Sequence, residues 1–201
     1  MTQTIAVVDY GSGNLHSVSR AIARVGGRAL VTRDAAEIAA ADALVIPGVG
    51  HFGACMRAIC HHGMDRAIED VRASGRPVFG VCVGMQVLFE GSDEDAEPGL
   101  GAIPGRVERI SGDVKVPHMG WNDVTWTASH PYVEGLPDGT RFYFVHSFAP
   151  SVGVHTVATT TYGHTFSAVV AQDNVFATQF HPEKSGDAGL QVYERFVRSL
   201  A

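Results

Sequence analysis

The sequence predicts an α/β protein: a doubly wound, mostly parallel sheet flanked by helices, with an antiparallel extension in its second half. Three observations predict it. Apolar, β-branched runs at 4–8, 28–31, 43–46 and 78–81 alternate with segments of helical spacing, the pattern of a parallel sheet covered on both faces. Gly80 and Gly84 flank Cys82 at a strand-to-helix junction, the pattern of an elbow that holds a nucleophile in a tight turn. From Val107 to Phe180 the chain turns to Val, Thr, Phe and Tyr broken by Gly, Pro and Asp, which reads as strands and hairpins. No Pro/Ser linker or repeat divides residues 1–201, so a single domain is expected.

Composition bounds the function. The 201 residues carry a formal net charge of -6, which offers no basic footprint for nucleic acid or an anionic membrane. Met1-Thr2-Gln3 lacks a signal peptide's basic start, and no apolar run spans a bilayer. The three cysteines are an odd number, which argues for a reducing, cytoplasmic setting. Cys55, Cys60, His61 and His62 cluster on one segment, but no second cluster completes a zinc spacing. No metal is expected.

In chain order, Thr4–Val8 reads as a strand ending in the turn Asp9-Tyr10-Gly11-Ser12-Gly13-Asn14. Leu15, Val18, Ile22 and Val25 then follow at helical spacing, and Gly26-Gly27 stops that helix. The Gly-x-Gly lacks the third glycine of a dinucleotide loop, so a functional or interface loop is expected there. Arg28–Val31 is a strand, and Asp34 caps a helix over Ala35–Ala41. Ala43–Ile46 is a strand running into Pro47-Gly48-Val49-Gly50. Phe52–Cys60 and Met64–Ser74 are expected helices. The stretch from Cys82 to Phe89 reads as an apolar helix. Gly91–Gly99 reads as an acidic, solvated loop without the glycine and terminal glutamate of a calcium site. Asp173-Asn174 fits a hairpin turn. A closing amphipathic helix, capped near Asp187, turns Leu190, Tyr193, Phe196, Val197 and Leu200 inward.

A thiol at a helix N-terminus meets N–H groups and a dipole that favour thiolate. A thiol nucleophile also needs a base and an orienting group. His181 and Glu183, two residues apart after an apolar strand, point to one side of extended chain, and Pro182 stiffens the pair. Cys82, His181 and Glu183 therefore read as a nucleophile, proton carrier and orienting acid. The Val83 N–H, with the peptide groups of Val49 and Gly50, would form an oxyanion hole.

Gly80-Val-Cys82-Val-Gly84-Met-Gln86 and His181-Pro-Glu183 resemble the signatures of class I (triad) glutamine amidotransferases, a flavodoxin-like family, over essentially the whole chain. Val8-Asp-Tyr-Gly-Ser-Gly-Asn14-Leu, Pro47-Gly-Val-Gly-His-Phe52, Pro117-His-Met-Gly-Trp121-Asn122 and Phe142-Tyr-Phe-Val-His146-Ser147 narrow the resemblance. They are similar to the glutaminase subunits of imidazole glycerol phosphate synthase, in histidine biosynthesis. Sister families mostly carry Pro-Gly-Gly where Pro47-Gly48-Val49-Gly50 stands. Val83 replaces a common leucine, at a position where the backbone acts.

The resemblance implies glutamine hydrolysis through a cysteinyl thioester, with Gln86, His146 and Ser147 holding the substrate. It implies transfer of ammonia to a separate cyclase subunit, a (β/α)8 barrel paired as a heterodimer, which converts PRFAR into imidazole glycerol phosphate and AICAR. Asn14 and Lys184 are candidate interface residues. No cofactor is implied. The alternative is the glutaminase subunit of an anthranilate or pyridoxal phosphate synthase type. A cysteine peptidase or glyoxalase-like enzyme on the same fold usually has histidine after the elbow cysteine, where this chain has Val83. A degenerate scaffold would not be expected to keep Cys82, His181 and Glu183 together.

Overall fold

A computed structural model describes residues 3–11 and 13–200. Ser12, inside the glycine-rich turn, and Met1, Thr2 and Ala201 lie outside the described residues. The first half is built of β1 (Thr4–Val8), α1 (Leu15–Arg24), β2 (Arg28–Thr32), α2 (Ala35–Ala40), β3 (Ala43–Gly48), α3 (Phe52–His61), α4 (Met64–Ala73), β4 (Val78–Cys82) and α5 (Val83–Gln86). Then come β5 (Phe89–Ser92), β6 (Asp95–Pro98), β7 (Ile103–Arg109), β8 (His118–Trp126), β9 (Thr140–His146) and β10 (Phe148–Pro150). The last elements are β11 (Thr156–Tyr162), β12 (His164–Gln172), β13 (Val175–Thr178) and α6 (Gly186–Arg198).

Among the described residues a nine-stranded sheet runs β2-β1-β3-β4-β13-β12-β11-β8-β9. The pairings from β2 to β13 are parallel, and those from β13 to β9 are antiparallel. The expected parallel core and antiparallel extension are both present. Strands β1, β3, β4 and β13 are buried along almost their whole length, because helices cover both faces and every side chain must be apolar or small. β12 turns into β13 at Asp173-Asn174, with Asp173 at φ 53°, a left-handed geometry that a short polar side chain tolerates. Asp34 caps α2 by accepting from the N–H groups of Ala36 and Glu37.

Three expectations are corrected. The apolar stretch after Cys82 is helical only over Val83–Gln86. The carbonyls of Val87 and Leu88 accept from the N–H groups of Leu100 and Ile103 at 2.7 and 2.9 Å, so pairing from distant chain overrides the local helical pattern. The acidic stretch 91–99 is not a loop but part of the β5–β6 hairpin, in a four-stranded sheet ordered β10-β7-β5-β6. It packs on α3, where Asp95 meets Arg57 at 3.4 Å and His51 at 3.6 Å. Finally, α6 starts at Gly186 without a side-chain cap. The Ser185 hydroxyl at that end is taken: it donates to His181 O at 2.6 Å and accepts from Tyr143 N–H at 3.0 Å.

Candidate active site

Three strand ends converge. Gly48 of β3 pairs with Cys82 of β4, and Thr178 of β13 pairs with Val81. The Pro47–Gly50 turn, the Cys82 elbow and the segment Gln179–Glu183 therefore leave the sheet side by side. This is the carboxyl edge of a parallel sheet, where such folds gather ligands.

Cys82 has φ 55° and ψ −111°, outside the regions comfortable for a side chain and costing about 1–3 kcal/mol. Glycines make the elbow possible. A Cβ on Gly84 would lie 1.7 Å from Ile46 O, and one on Gly80 would lie 2.7 Å from Gly84 O. On the facing turn, a Cβ on Gly48 would come within 2.3 Å of Gly84 N. The Tyr10 hydroxyl, itself buried, donates to Pro47 O and ties down the start of that turn.

His181 and Glu183 are brought together, though not on extended chain as expected. His181 precedes a single 3-10 turn over Pro182–Lys184, and Pro182 occupies its first position. Proline suits that position, since its missing N–H is not needed there. The turn sets His181 Nδ1 2.8 Å from Glu183 Oε1. Nε2 is buried with no competing partner among the described residues. Burial opposes charge on this imidazole, but its interactions with the neighbouring Cys82 sulfur and the Glu183 carboxyl outweigh it and raise its pKa to about 10.

Cys82, Val83, Val49, Gly50, Gln86, His146, Ser147 and Lys184 all line one cavity of about 370 Å³. Asn14 does not line it. Asn14 stands before α1, and a Cβ added to the adjoining Gly13 would lie 3.5 Å from Pro47 Cγ. The ring of His146 is fully engaged inside the protein. Nδ1 is 2.8 Å from Phe148 O, and Nε2 is 3.0 Å from His118 Nδ1. Burial pushes the pKa of His146 down to about 3 and that of His118 to about 4, so both are neutral hydrogen-bonding groups near neutral pH. Gln86 Nε2 donates to Phe148 O and Gln179 Oε1, leaving Oε1 for a ligand.

Two polar groups of the site escaped the sequence reading. Glu94, from the β5–β6 hairpin, lines the cavity while its Oε2 accepts from Phe52 N–H at 2.7 Å. Gln179 donates to Cys82 Sγ across 3.6 Å. Glu94 read as a solvated acid because its partner is 42 positions away. Gln179 sits in the apolar run before His181, and that adjacency was the only available signal.

A strained thiol, an imidazole oriented by a buried carboxylate, and a facing glycine turn equip the cavity for acyl transfer. The chain belongs to the class-I glutamine amidotransferase family, whose profile, "Glutamine amidotransferase class-I", matches residues 6–200. Curated relatives are more particular. The chain is 46% identical over 205 residues to the imidazole glycerol phosphate synthase subunit HisH of Chromobacterium violaceum, with 96% of each chain covered. It is 49% identical over 206 residues to the subunit of that name in Halobacterium salinarum, covering 96% of this chain and 92% of the other. Among solved structures, PurLQS from Thermotoga maritima superposes with a TM-score of 0.77. Its identity is 18%, covering 100% of each chain, and it speaks for the fold alone.

Proposed function

We propose that this chain is the glutaminase subunit of imidazole glycerol phosphate synthase. The observation that carries the reading is the buried Cys82–His181–Glu183 constellation at the cavity-lining elbow, together with full-length relatives of that name. Cys82 thiolate attacks the side-chain carboxamide carbon of glutamine. The S–C bond forms and the carbonyl electrons move to oxygen, facing the N–H of Val83 and the Val49–Gly50 turn. The C–N bond then breaks, with the proton from His181 passing to the departing ammonia. Water attacks the thioester while His181 takes its proton. The S–C bond breaks, and glutamate and thiolate are restored. Glu183 keeps the imidazole oriented throughout. Gln86 Oε1, the Glu94 carboxylate, and the His146–Ser147 segment surround the substrate. No cofactor enters.

Ammonia passes to a separate cyclase subunit, a (β/α)8 barrel joined as a heterodimer, which turns PRFAR into imidazole glycerol phosphate and AICAR in the cytoplasm. A docking face suits this. Met119 and Trp121 are exposed on β8 at 63% and 49%. Trp121 meets Tyr143, over which the Lys184 ammonium lies, and Lys184 reaches the cavity. This apolar and cationic strip borders the reaction chamber, where an ammonia acceptor must sit. Asn14 is a second candidate contact. Among the described residues no helix is long and apolar enough to cross a membrane.

The test is to mix the purified chain with a histidine-pathway cyclase and PRFAR and follow glutamine-dependent imidazole glycerol phosphate. Product is expected only with both chains present. Glutamine-dependent activity with an anthranilate or pyridoxal phosphate synthase partner, and none with the cyclase, overturns the reading.

A further inference from the structure

Gln179 is wholly buried. Its backbone N–H donates to Ala168 O at 2.8 Å on β12, so the main chain holds the residue in place and its side chain turns to the elbow. There Nε2 stands 3.6 Å from Cys82 Sγ, and Oε1 accepts from Gln86 Nε2 at 3.1 Å.

The polarity of this chain of groups follows from one atom. Phe148 O has no proton and can only accept. It lies 2.8 Å from the Gln86 amide, so the Gln86 group facing it is the NH2. The same NH2 faces Gln179, so the Gln179 atom facing it is the oxygen. The remaining Gln179 group, turned to the sulfur, is therefore the NH2. Flipping either amide sets two donors or two acceptors against each other. The amide orientation at the thiol thus rests on a backbone carbonyl two residues away in the network, which also accepts from His146 Nδ1.

The sulfur meets opposing influences. Val145 O, 3.8 Å away, accepts from the protonated thiol. The Gln179 N–H can only favour charge on sulfur. His181, backed by Glu183, acts in the same direction. Tyr10, buried beside the site, and Glu94, His146 and Lys184, lining the cavity, are the other titratable groups around it among the described residues.

We infer that Gln179 is a further catalytic residue of the thiol site, whose side-chain amide stabilises negative charge on Cys82 Sγ. It acts twice. It supports the thiolate before attack, and it supports the same thiolate as leaving group when water cleaves the thioester. No proton leaves Gln179 in either step. The inference rests on the glutaminase reading for its consequence in turnover, but not for its effect on the thiol.

The test is the pH profile of Cys82 alkylation by iodoacetamide in the full chain, with the modified peptide quantified by mass spectrometry. Gln179→Met keeps the volume and removes the donor. Its profile should move to higher pH, with alkylation below the plateau about tenfold slower. Glutaminase kcat in the complex should fall about tenfold with KM little changed. Gln179→Leu, which likewise carries no donor and no charge, should move the profile in the same direction, and it decides the matter if the methionine variant fails to fold. An unchanged profile in a folded variant overturns the assignment, because losing a donor that stabilises the thiolate has to move the thiol's titration upward. A shifted profile in a chain that hydrolyses no glutamine supports the role of Gln179 and overturns the proposed function instead.

Discussion

His181 Nδ1 lies 2.8 Å from Glu183 Oε1 with both side chains 1% exposed. One acid thus fixes the ring and compensates its charge, while Nε2 remains for Cys82. The two contributions differ in size. His181→Ala removes the proton carrier, which typically supplies about 10²–10⁴-fold. Glu183→Gln keeps an acceptor for Nδ1 and should cost less. Cys82→Ser should abolish glutamine hydrolysis, while the cyclase partner still runs on ammonium salts. Steady-state glutaminase rates in the complex check all three. A larger loss in Glu183→Gln than in His181→Ala, with the fold intact, reverses the assigned roles.

The paired imidazoles His118 and His146 predict acid sensitivity. Burial holds their folded pKa values at about 4 and about 3, below the ordinary value near 6.5. The unfolded chain therefore binds more protons in that interval, and stability falls as pH drops below about 6.5. The loss continues until the folded pKa values are reached. His146 alone contributes a slope of about 1.4 kcal/mol per pH unit in this window, and His118 acts in the same direction. Urea midpoints at several pH values measure the slope. His146→Gln, which does not titrate, should flatten it by about one proton; an unchanged slope sinks the idea.

What the sequence revealed of the site follows the range of the interactions. Gly80, Cys82 and Gly84 announce the elbow because the pattern itself is local, each glycine two residues from the cysteine, although the atom that excludes a Cβ from Gly84 belongs to Ile46 on β3. His181 and Glu183 are legible for the same reason, being two residues apart. Glu94 was not, since an acid capping α3 from 42 positions away leaves no periodic trace. The helix expected after Cys82 ended early because Leu100 and Ile103 claim the carbonyls of Val87 and Leu88. Local patterning placed Cys82 at its elbow, and distant pairing decided the rest of the cavity wall.

An elbow glycine and the glycine just past α4 should divide by crowding. Gly84→Ala forces a Cβ to within 1.7 Å of Ile46 O, backbone that cannot swing aside. A cost of about 3 kcal/mol or more is expected, with loss of activity. Gly75, at φ 80°, has nothing within 4 Å of an added Cβ, so Gly75→Ala carries only the left-handed penalty of about 1–2 kcal/mol. Chemical denaturation of the two variants decides: equal destabilisation refutes the packing argument.

The last prediction concerns Val49 and its neighbours. Hydrolysis without an acceptor wastes ammonia, so a synthase subunit should idle until its partner is loaded. Tyr10 anchors the Pro47 carbonyl, which confines any peptide reorientation to Gly48–Val49–Gly50. Gly50 has φ 111°, open to glycine alone, and it lets the Val49 peptide adopt two directions at low strain. One direction aims an N–H at the oxyanion and the other withholds it. Losing one such donor typically costs about 10²–10³ in rate, so a nucleotide-loaded partner that binds the donating form more tightly by that factor supplies the whole switch. Gly50→Pro, which demands φ near −65°, should abolish activation while partner binding largely persists. The measurements are glutaminase turnover of the chain alone, of the complex, and of the complex with nucleotide, beside the binding constant for the partner. Equal turnover in all three states removes the switch. A proline variant that is activated like the native chain shows that the turn does not need glycine's freedom at position 50.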